Sequence, residues 1–255
     1  MDSLLDVSHA RRFAKGWSAR VEQPKTDGTS DDERSENELL RWFEEYTSGP
    51  GILHKWTHYF EPYQRHLTRF VGEDVSLLEV GVQSGGSIEM WRHWLGGCAT
   101  IYGVDIDPDC RRSEREGVTI FIGDQADRAF WARVRSETPP LDIVIDDGGH
   151  TPEQQRVTLE ELLPHLAVGG VYICEDLHGS ANQFLSYVHG LSEALCAGSP
   201  RPSQDDPDGP LFSKVTPYQA AVHSIHIYPH LVVIERRGQA LDEFVARKQG
   251  TDWLA

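Results

Sequence analysis

From residue 76 onward, short apolar runs alternate with segments long enough for helices, and this alternation constrains the fold more than any other feature. The runs are SLLEVGV (76–82), TIYGVDI (100–106), VTIFIGD (118–124), LDIVIDD (141–147) and VYICED (171–176). Between them lie SIEMWRHWL, PDCRRSERE, ADRAFWARVRSE and PEQQRVTLEELLPHL, each of crossover-helix length. Runs that are apolar at nearly every position suit strands buried on both faces, hence a parallel sheet covered by helices on both sides. The alternation then breaks. SIHIY (224–228) and LVVIE (231–235) are separated only by Pro229-His230, a spacing that demands an antiparallel hairpin. The expected fold is α/β: five parallel βα units in a Rossmann-like sheet, closed by that hairpin.

Upstream of the sheet, residues 4–20 pattern as an amphipathic helix. Gln23 to Asn37 is polar and charged and reads as an exposed acidic linker, and Glu38 to Phe43 starts a second helix. Residues 1–50 are therefore expected to form N-terminal helices with a linker, and residues 51–255 the α/β domain. GSPRPSQDDPDGP (198–210) reads as a mobile acidic loop. No internal repeat is evident.

The charge balance narrows the partners. Acids outnumber bases 40 to 24, giving a net charge of -16, whereas a protein that tracks phosphates needs clustered Lys and Arg. Nucleic acid and anionic membrane surfaces are poor partners on this count. No apolar run approaches the roughly 20 residues that span a bilayer. Ser8-His9-Ala10-Arg11-Arg12 interrupts any signal-peptide core. Cys98, Cys110, Cys174 and Cys196 show no CxxC pairing and read as incidental thiols of a reducing compartment, so a cytoplasmic location is expected.

In an open α/β sheet, ligands bind beyond the carboxyl ends of the strands. The first run ends in Glu79-Val80-Gly81-Val82-Gln83-Ser84-Gly85-Gly86-Ser87, where glycines let the backbone turn and approach a ligand, and Ser87 can cap the next helix. The spacing is G-x-x-x-G-G, not the dinucleotide G-x-G-x-x-G, which disfavours an NAD enzyme. Asp105 ends the second run nineteen residues after Gly86, the place of a carboxylate that accepts from ribose hydroxyls. Asp124 and Gln125 follow the third run and can read an adenine edge.

The fourth run ends in Asp146-Asp147-Gly148-Gly149-His150 and the fifth in Glu175-Asp176-Leu177-His178. Neighbouring strand ends lie ~5 Å apart, which gathers Asp147, Glu175 and Asp176 at one rim with no neutralising partner nearby in sequence. Crowded carboxylates repel unless a cation or a shared proton compensates them. Three hard oxygen donors suit Mg²⁺, and equally Mn²⁺. His150, on a Gly-Gly turn three residues past Asp147, is placed to act as a base near neutral pH. The bland alternative is that these acids cap helices and His150 is a surface turn residue.

Taken together, LLEVGVQSGGS, IYGVDIDP, FIGDQAD, IVIDDGGH and YICEDLH resemble the class I methyltransferases. More narrowly, they look like the metal-dependent sugar O-methyltransferases of macrolide biosynthesis, over about residues 50–177. The resemblance implies a seven-stranded sheet in the order 3-2-1-4-5-7-6, S-adenosyl-L-methionine as methyl donor and a Mg²⁺ site. By matching position, Asp147, Glu175 and Asp176 would hold the metal and His150 would be the general base. Glu79, Gly81, Asp105, Asp124 and Gln125, with Ser87 in the same loop, would line the cofactor. Lys55-Trp56-Thr57-His58-Tyr59-Phe60 looks like the family segment that closes over cofactor or substrate; alternatively its aromatics pack a helix onto the sheet. The implied acceptor is a hydroxyl of a glycosylated or other small natural product, and a homo-oligomer is expected by analogy alone. Two other readings stay open: an oxidative enzyme resembling the cephalosporin hydroxylases, and a non-catalytic nucleoside-binding accessory protein.

Overall fold

The structure, a computed structural model, describes residues 7–15, 37–179, 182–202 and 209–249. Its centre is a seven-stranded sheet built from β1 (Ser76–Val80), β2 (Thr100–Asp105), β3 (Val118–Ile122), β4 (Leu141–Asp146), β5 (Leu166–Cys174), β8 (Val222–Tyr228) and β9 (Leu231–Arg236). The order is β3-β2-β1-β4-β5-β9-β8. The first five strands are parallel, and β9 joins β5 antiparallel before turning into β8. This is the expected topology, with the hairpin closed by Pro229-His230. The hairpin strands rank eighth and ninth because β6 (Arg201–Pro202) and β7 (Leu211–Lys214) precede them. Those two strands pair with β10 (Glu243–Ala246) in a separate antiparallel sheet that the sequence reading does not contain. Part of the segment read as a mobile loop thus forms strand β6, and its residues 203–208 lie outside the described residues.

Alternation along each strand divides the core in two. Leu77, Ile101, Ile143, Val171, Ile173 and Val233 face one layer, where α2 (Glu38–Glu45), α3 (Phe60–Leu67) and α4 (Gly86–Leu95) supply Leu39, Tyr63 and Trp91. Leu78, Val144, Tyr172, Cys174 and Ile234 face the other, where α5 (Arg128–Glu137), α6 (Pro152–Leu162) and α7 (Gln183–Leu195) supply Trp131, Val157 and Phe184. Both faces are apolar because both are covered. Each fully buried aliphatic or aromatic side chain contributes roughly 1.5–3 kcal/mol. Trp91 and Trp131, both with no exposed surface, anchor the two layers.

Helix ends explain how the loops at the sheet's carboxyl edge are held. Asn37, read as the last linker residue, is the N-cap of α2: its side chain accepts from Leu40 N at 2.9 Å and donates to the Phe60 carbonyl at 2.9 Å. Thr151 and Gln154 form a reciprocal capping box, with Pro152 at the start of α6, fixing the helix directly after His150. The N-terminal helix α1 spans Val7–Lys15; residues 4–6 and 16–20 of the expected helix, and most of the linker, lie outside the described residues. Two local expectations fail. PDCRRSERE forms only a 3-10 turn (Pro108–Ser113), because the chain must return from β2 to β3 almost at once. Ser87 does not cap α4: the cap is Gly85, in the left-handed region at φ 88°, and Ser87 lies within the first turn. A short helix α8 (Pro217–Ala221) leads into β8. Among the described residues, no helix is long and apolar enough to cross a membrane.

On the surface of α5 and α6, Arg128 and Arg135 both donate to Glu161. Burial acts against the charged form, but these hydrogen bonds outweigh it and hold the Glu161 carboxyl below its ordinary value of 4.5. A carboxylate lowered in the native state stabilises the fold above its unfolded titration range and loses that contribution as acid protonates it. Glu161→Gln should therefore cost under about 1 kcal/mol at pH 7, since the pairs are solvent-screened. Urea unfolding at pH 7 and again below the carboxylate range should show the difference shrinking to nothing in acid.

Candidate active site at the carboxyl end of the sheet

The ends of β1, β2, β3 and β4 open into a cleft of about 320 Å³. Its lining includes Gly81, Ser87, Asp105, Asp124, Asp147 and His150 from the sequence-derived set, with Gln125 and Asp176 also at its wall. Glu79 and Glu175 do not reach it. Both are buried beneath the floor, at 0% and 1% exposure.

The cleft's shape rests on close backbone approach. Gly81 follows β1 at φ 93°, and a Cβ there would lie 2.1 Å from the Asp147 carbonyl oxygen. No other residue type lets the β1 and β4 loops touch in this way. Gly86, at the start of α4, packs against the Ile52 carbonyl, where a Cβ would lie 2.4 Å away. That contact, with Ile52 N donating to Ser84 Oγ at 2.7 Å, lays residues 52–55 along the glycine loop.

Several expected cofactor contacts are occupied by the protein itself. Asp105 accepts from Gln83 N at 2.8 Å and from Asp107 N at 2.9 Å, so it braces the glycine loop from β2. Gln125 spends its whole amide internally: Nε2 donates to Asp146 and Thr158, each at 3.1 Å, and Oε1 accepts from Gly149 N at 2.6 Å. The structure thus uses Gln125 to hold the loop that carries His150 rather than leaving it to read a base. Asp124 accepts from Ala126 N at 2.8 Å and lines the cleft. Ser87 donates to Glu79 at 2.6 Å and Trp91 Nε1 donates to the same carboxylate at 3.0 Å, so Glu79 clamps the first turns of α4.

The rim brings Asp147, His150 and Asp176 together, with one ligand atom from each within 4.8 Å of the others. His150 Nε2 lies 3.9 Å from Asp147 Oδ1 and 3.7 Å from Asp176 Oδ2. The other oxygen of each carboxylate is held by the chain. Asp147 Oδ2 accepts from Lys55 at 2.7 Å; Asp176 Oδ1 accepts from Trp56 Nε1 at 2.9 Å and from the Tyr59 hydroxyl at 3.0 Å. His150 and Asp176 both sit in the left-handed region at φ 57°, a strained conformation that persists where the surroundings over-determine it. His150 Nδ1 is buried without a hydrogen-bond partner among the described residues.

Sequence reasoning missed the cation of this site. Lys55 is buried, and its ammonium lies 2.7 Å from Asp147, 3.0 Å from Glu175 and 3.7 Å from Glu79. Burial alone would depress it, but the three carboxylates outweigh burial and hold it well above the usual lysine range. Burial pushes Glu175 above the ordinary carboxylate range, opposed by Lys55 and by the Tyr63 hydroxyl, which donates at 2.5 Å. The acids therefore do have a neutralising partner, 92 residues from Asp147. The available signal was a lysine opening an aromatic stretch just ahead of the first strand. Of that stretch, Tyr59 and Phe60 pack in the core, fully buried, whereas Trp56 is 50% exposed at the rim.

A seven-stranded sheet of this order, with a glycine loop after its first strand and acids at the next strand ends, is the Rossmann-like arrangement of methyltransferase folds. Residues 78–177 match the model of a family described as a methyltransferase domain. Demethylmacrocin O-methyltransferase of Streptomyces fradiae is 38% identical over 133 residues, which span 48% of this chain and 33% of that protein. Mycinamicin VI 2''-O-methyltransferase of Micromonospora griseorubida is 38% identical over 128 residues, 47% of this chain and 32% of its own length. The chain thus spans about a third of the length of these two relatives. Among solved structures, the MycE methyltransferase of the mycinamycin pathway, in complex with Mg and SAH, superposes with a TM-score of 0.63 at 24% identity. The match covers 78% of this chain and 54% of that one, and is a likeness of fold.

Removing the buried ammonium tests the electrostatics directly. Lys55→Met should destabilise the protein by about 3–5 kcal/mol at pH 8, the usual consequence of leaving buried charges uncompensated. Because the stranded carboxylates can then take up protons, the deficit should narrow at pH 5. Equal losses in chemical denaturation at both pH values would mean that Lys55 acts through packing instead.

Proposed function

We propose that this chain is an S-adenosyl-L-methionine-dependent O-methyltransferase acting on a hydroxyl of a small, sugar-bearing natural product. The observation that carries the reading is the convergence of Asp147, His150 and Asp176 on one point beside the cleft. The donor set suits a divalent cation. Each acid has one oxygen fixed by the chain and the other turned toward His150, and hard oxygens favour Mg²⁺ or Mn²⁺. Asp147 and Asp176 would hold the metal. Glu175, buried just behind them, would join on release from Lys55 or else orient Asp147 through the shared ammonium. When bound, the metal supplies Lewis-acid positioning of the acceptor hydroxyl.

The remaining work falls to the chain. The glycine loop from Gly81 to Gly86, braced by Asp105, forms the surface against which the nucleoside of the methyl donor lies. His150, fixed between the Gly149 turn and the Thr151 capping box, takes the acceptor proton at Nε2 as the oxygen attacks the methyl carbon, whose bond to the sulfonium sulfur breaks to leave the neutral thioether product. Placing the two reactants in line is itself a large part of the acceleration in such a transfer. Beside Asp176, the rings of Trp56, His58, His178 and His230 form a half-exposed wall, with neighbouring centroids 5.8–6.1 Å apart. An aromatic face flanked by imidazole donors suits a pyranose, which presents apolar C–H faces and hydroxyl edges. The relatives named for O-methylation of demethylmacrocin and mycinamicin VI support a natural-product acceptor.

Calorimetry with metal-free protein should detect binding of S-adenosylmethionine and its demethylated product, and a binding heat for Mg²⁺ that disappears in Asp147→Ala. With a sugar-bearing acceptor, product should gain one CH₂ unit by mass. His150→Ala should retain nucleoside binding while turnover falls by roughly 10²–10⁴-fold, the usual range for a general base. Undiminished turnover in His150→Ala would overturn the assigned base, and addition of an oxygen instead of CH₂ would overturn methyl transfer.

A further inference from the structure

A second cluster of metal-ligating side chains lies where α3 packs on the C-terminal hairpin. His66 from α3, His226 from β8 and Glu235 from β9 each bring one ligand atom within 4.8 Å of the others. His66 and Glu235 are largely buried, with side chains 4% and 15% exposed, while His226 opens to solvent at 37%. His66 Nδ1 lies 3.0 Å from Glu235 Oε1, and His226 Nε2 lies 3.9 Å from Glu235 Oε2. The two imidazole centroids are 4.6 Å apart.

The surrounding groups hold the cluster by hydrogen bonds. His66 Nε2 meets the Tyr228 hydroxyl at 2.9 Å, and His226 Nε2 meets Ser224 Oγ at 3.0 Å. Arg69 reaches Glu235 at Oε1, 3.3 Å away, on the side shared with His66. Oε2 accepts from Ser224 Oγ at 3.2 Å and faces His226. Arg65 and His223 stand farther off, in electrostatic range of His226.

We propose that His66, His226 and Glu235 form a second metal site, for Zn²⁺ or a similar borderline transition ion, which clips α3 to the hairpin. Two imidazoles and one carboxylate are a zinc donor set, unlike the oxygen-dominated rim of the cleft. The three protein ligands would be completed by water on the open His226 side. The site's place gives it a use. Three residues before His66, Tyr63 holds Glu175, and Tyr59 at the head of the same helix holds Asp176 and the His230 carbonyl. An ion that fixes α3 against β8 and β9 would fix the phenols that orient the rim acids.

The test uses the full chain stripped of metal, saturated with Mg²⁺ to fill the oxygen site, and titrated with Co²⁺. Four-coordinate Co²⁺ on nitrogen ligands should give visible d–d absorption, and Zn²⁺ should abolish it by displacement. His226→Ala, altering the exposed ligand, and Glu235→Gln, which keeps the carboxylate's shape, should each weaken binding at least about 100-fold, since losing even a ligand's supporting partner costs up to that much. Asp147→Ala should leave the bands intact. Absence of such absorption in the Mg²⁺-saturated protein, or its survival in His226→Ala and Glu235→Gln, would overturn the proposal. Neither result bears on methyl transfer, which the calorimetric experiment tests separately.

Discussion

The site depends on one buried ammonium. Lys55 lies among acids that arrive on three different strands, Glu79 on β1, Asp147 just past β4 and Glu175 just past β5. Desolvating one ion costs several kcal/mol even after relaxation, so such a group forms only when partners surround it from several sides. Here the parallel sheet supplies them. Adjacent strands end at the same level, and the acids at their ends fall within reach of a single cation. Lys55 therefore ties the segment before the sheet to its three central strand ends, and the cleft lies directly above that knot.

The knot also determines which atoms remain for chemistry. Lys55 takes one oxygen of Asp147, and Trp56 and Tyr59 take one oxygen of Asp176. What stays accessible is the second oxygen of each, with His150 Nε2 between them. Left-handed backbone at His150 and Asp176 aims these groups inward, at a conformational cost that the capping box of α6 and the Tyr59 hydrogen bonds offset. A site assembled this way is preorganised, because the free oxygen of each acid is fixed through the other oxygen of the same carboxylate.

The sheet was legible because its strands are buried on both faces and so read as unbroken apolar runs, and because Pro229-His230 leaves room only for a hairpin. Asp147, His150 and Asp176 were legible for a related reason: position at a strand's carboxyl end is a sequence property once the strands are known. The bracing contacts of Gln125 and Ser87 were not legible, because a polar side chain beside the cleft can face it or brace its loops. The choice was made by Gly149, Asp146 and Glu79, which no local pattern brings near. Lys55 shows the same limit more sharply, since its partners lie 24 to 120 residues away. The sheet of β6, β7 and β10 escaped notice because its strands are two to four residues long and two of them flank a run of Pro, Gly and Asp.

The chain's charge acquires a meaning from the proposed reaction. A sulfonium donor carries one positive charge more than its demethylated product, while the rest of the molecule is unchanged. A protein of net charge -16, with Asp105, Asp124 and Asp147 around one cleft, therefore attracts the donor more strongly than the product. Lys55 limits that bias where it would do harm. By neutralising Glu79, Asp147 and Glu175 it lowers the field beneath the floor, but it forms no ion pair with Asp105 or Asp124 at the mouth. The same arrangement that lets acids crowd under the sheet thus keeps the negative potential at the entrance, where it favours exchange of spent nucleoside for fresh donor.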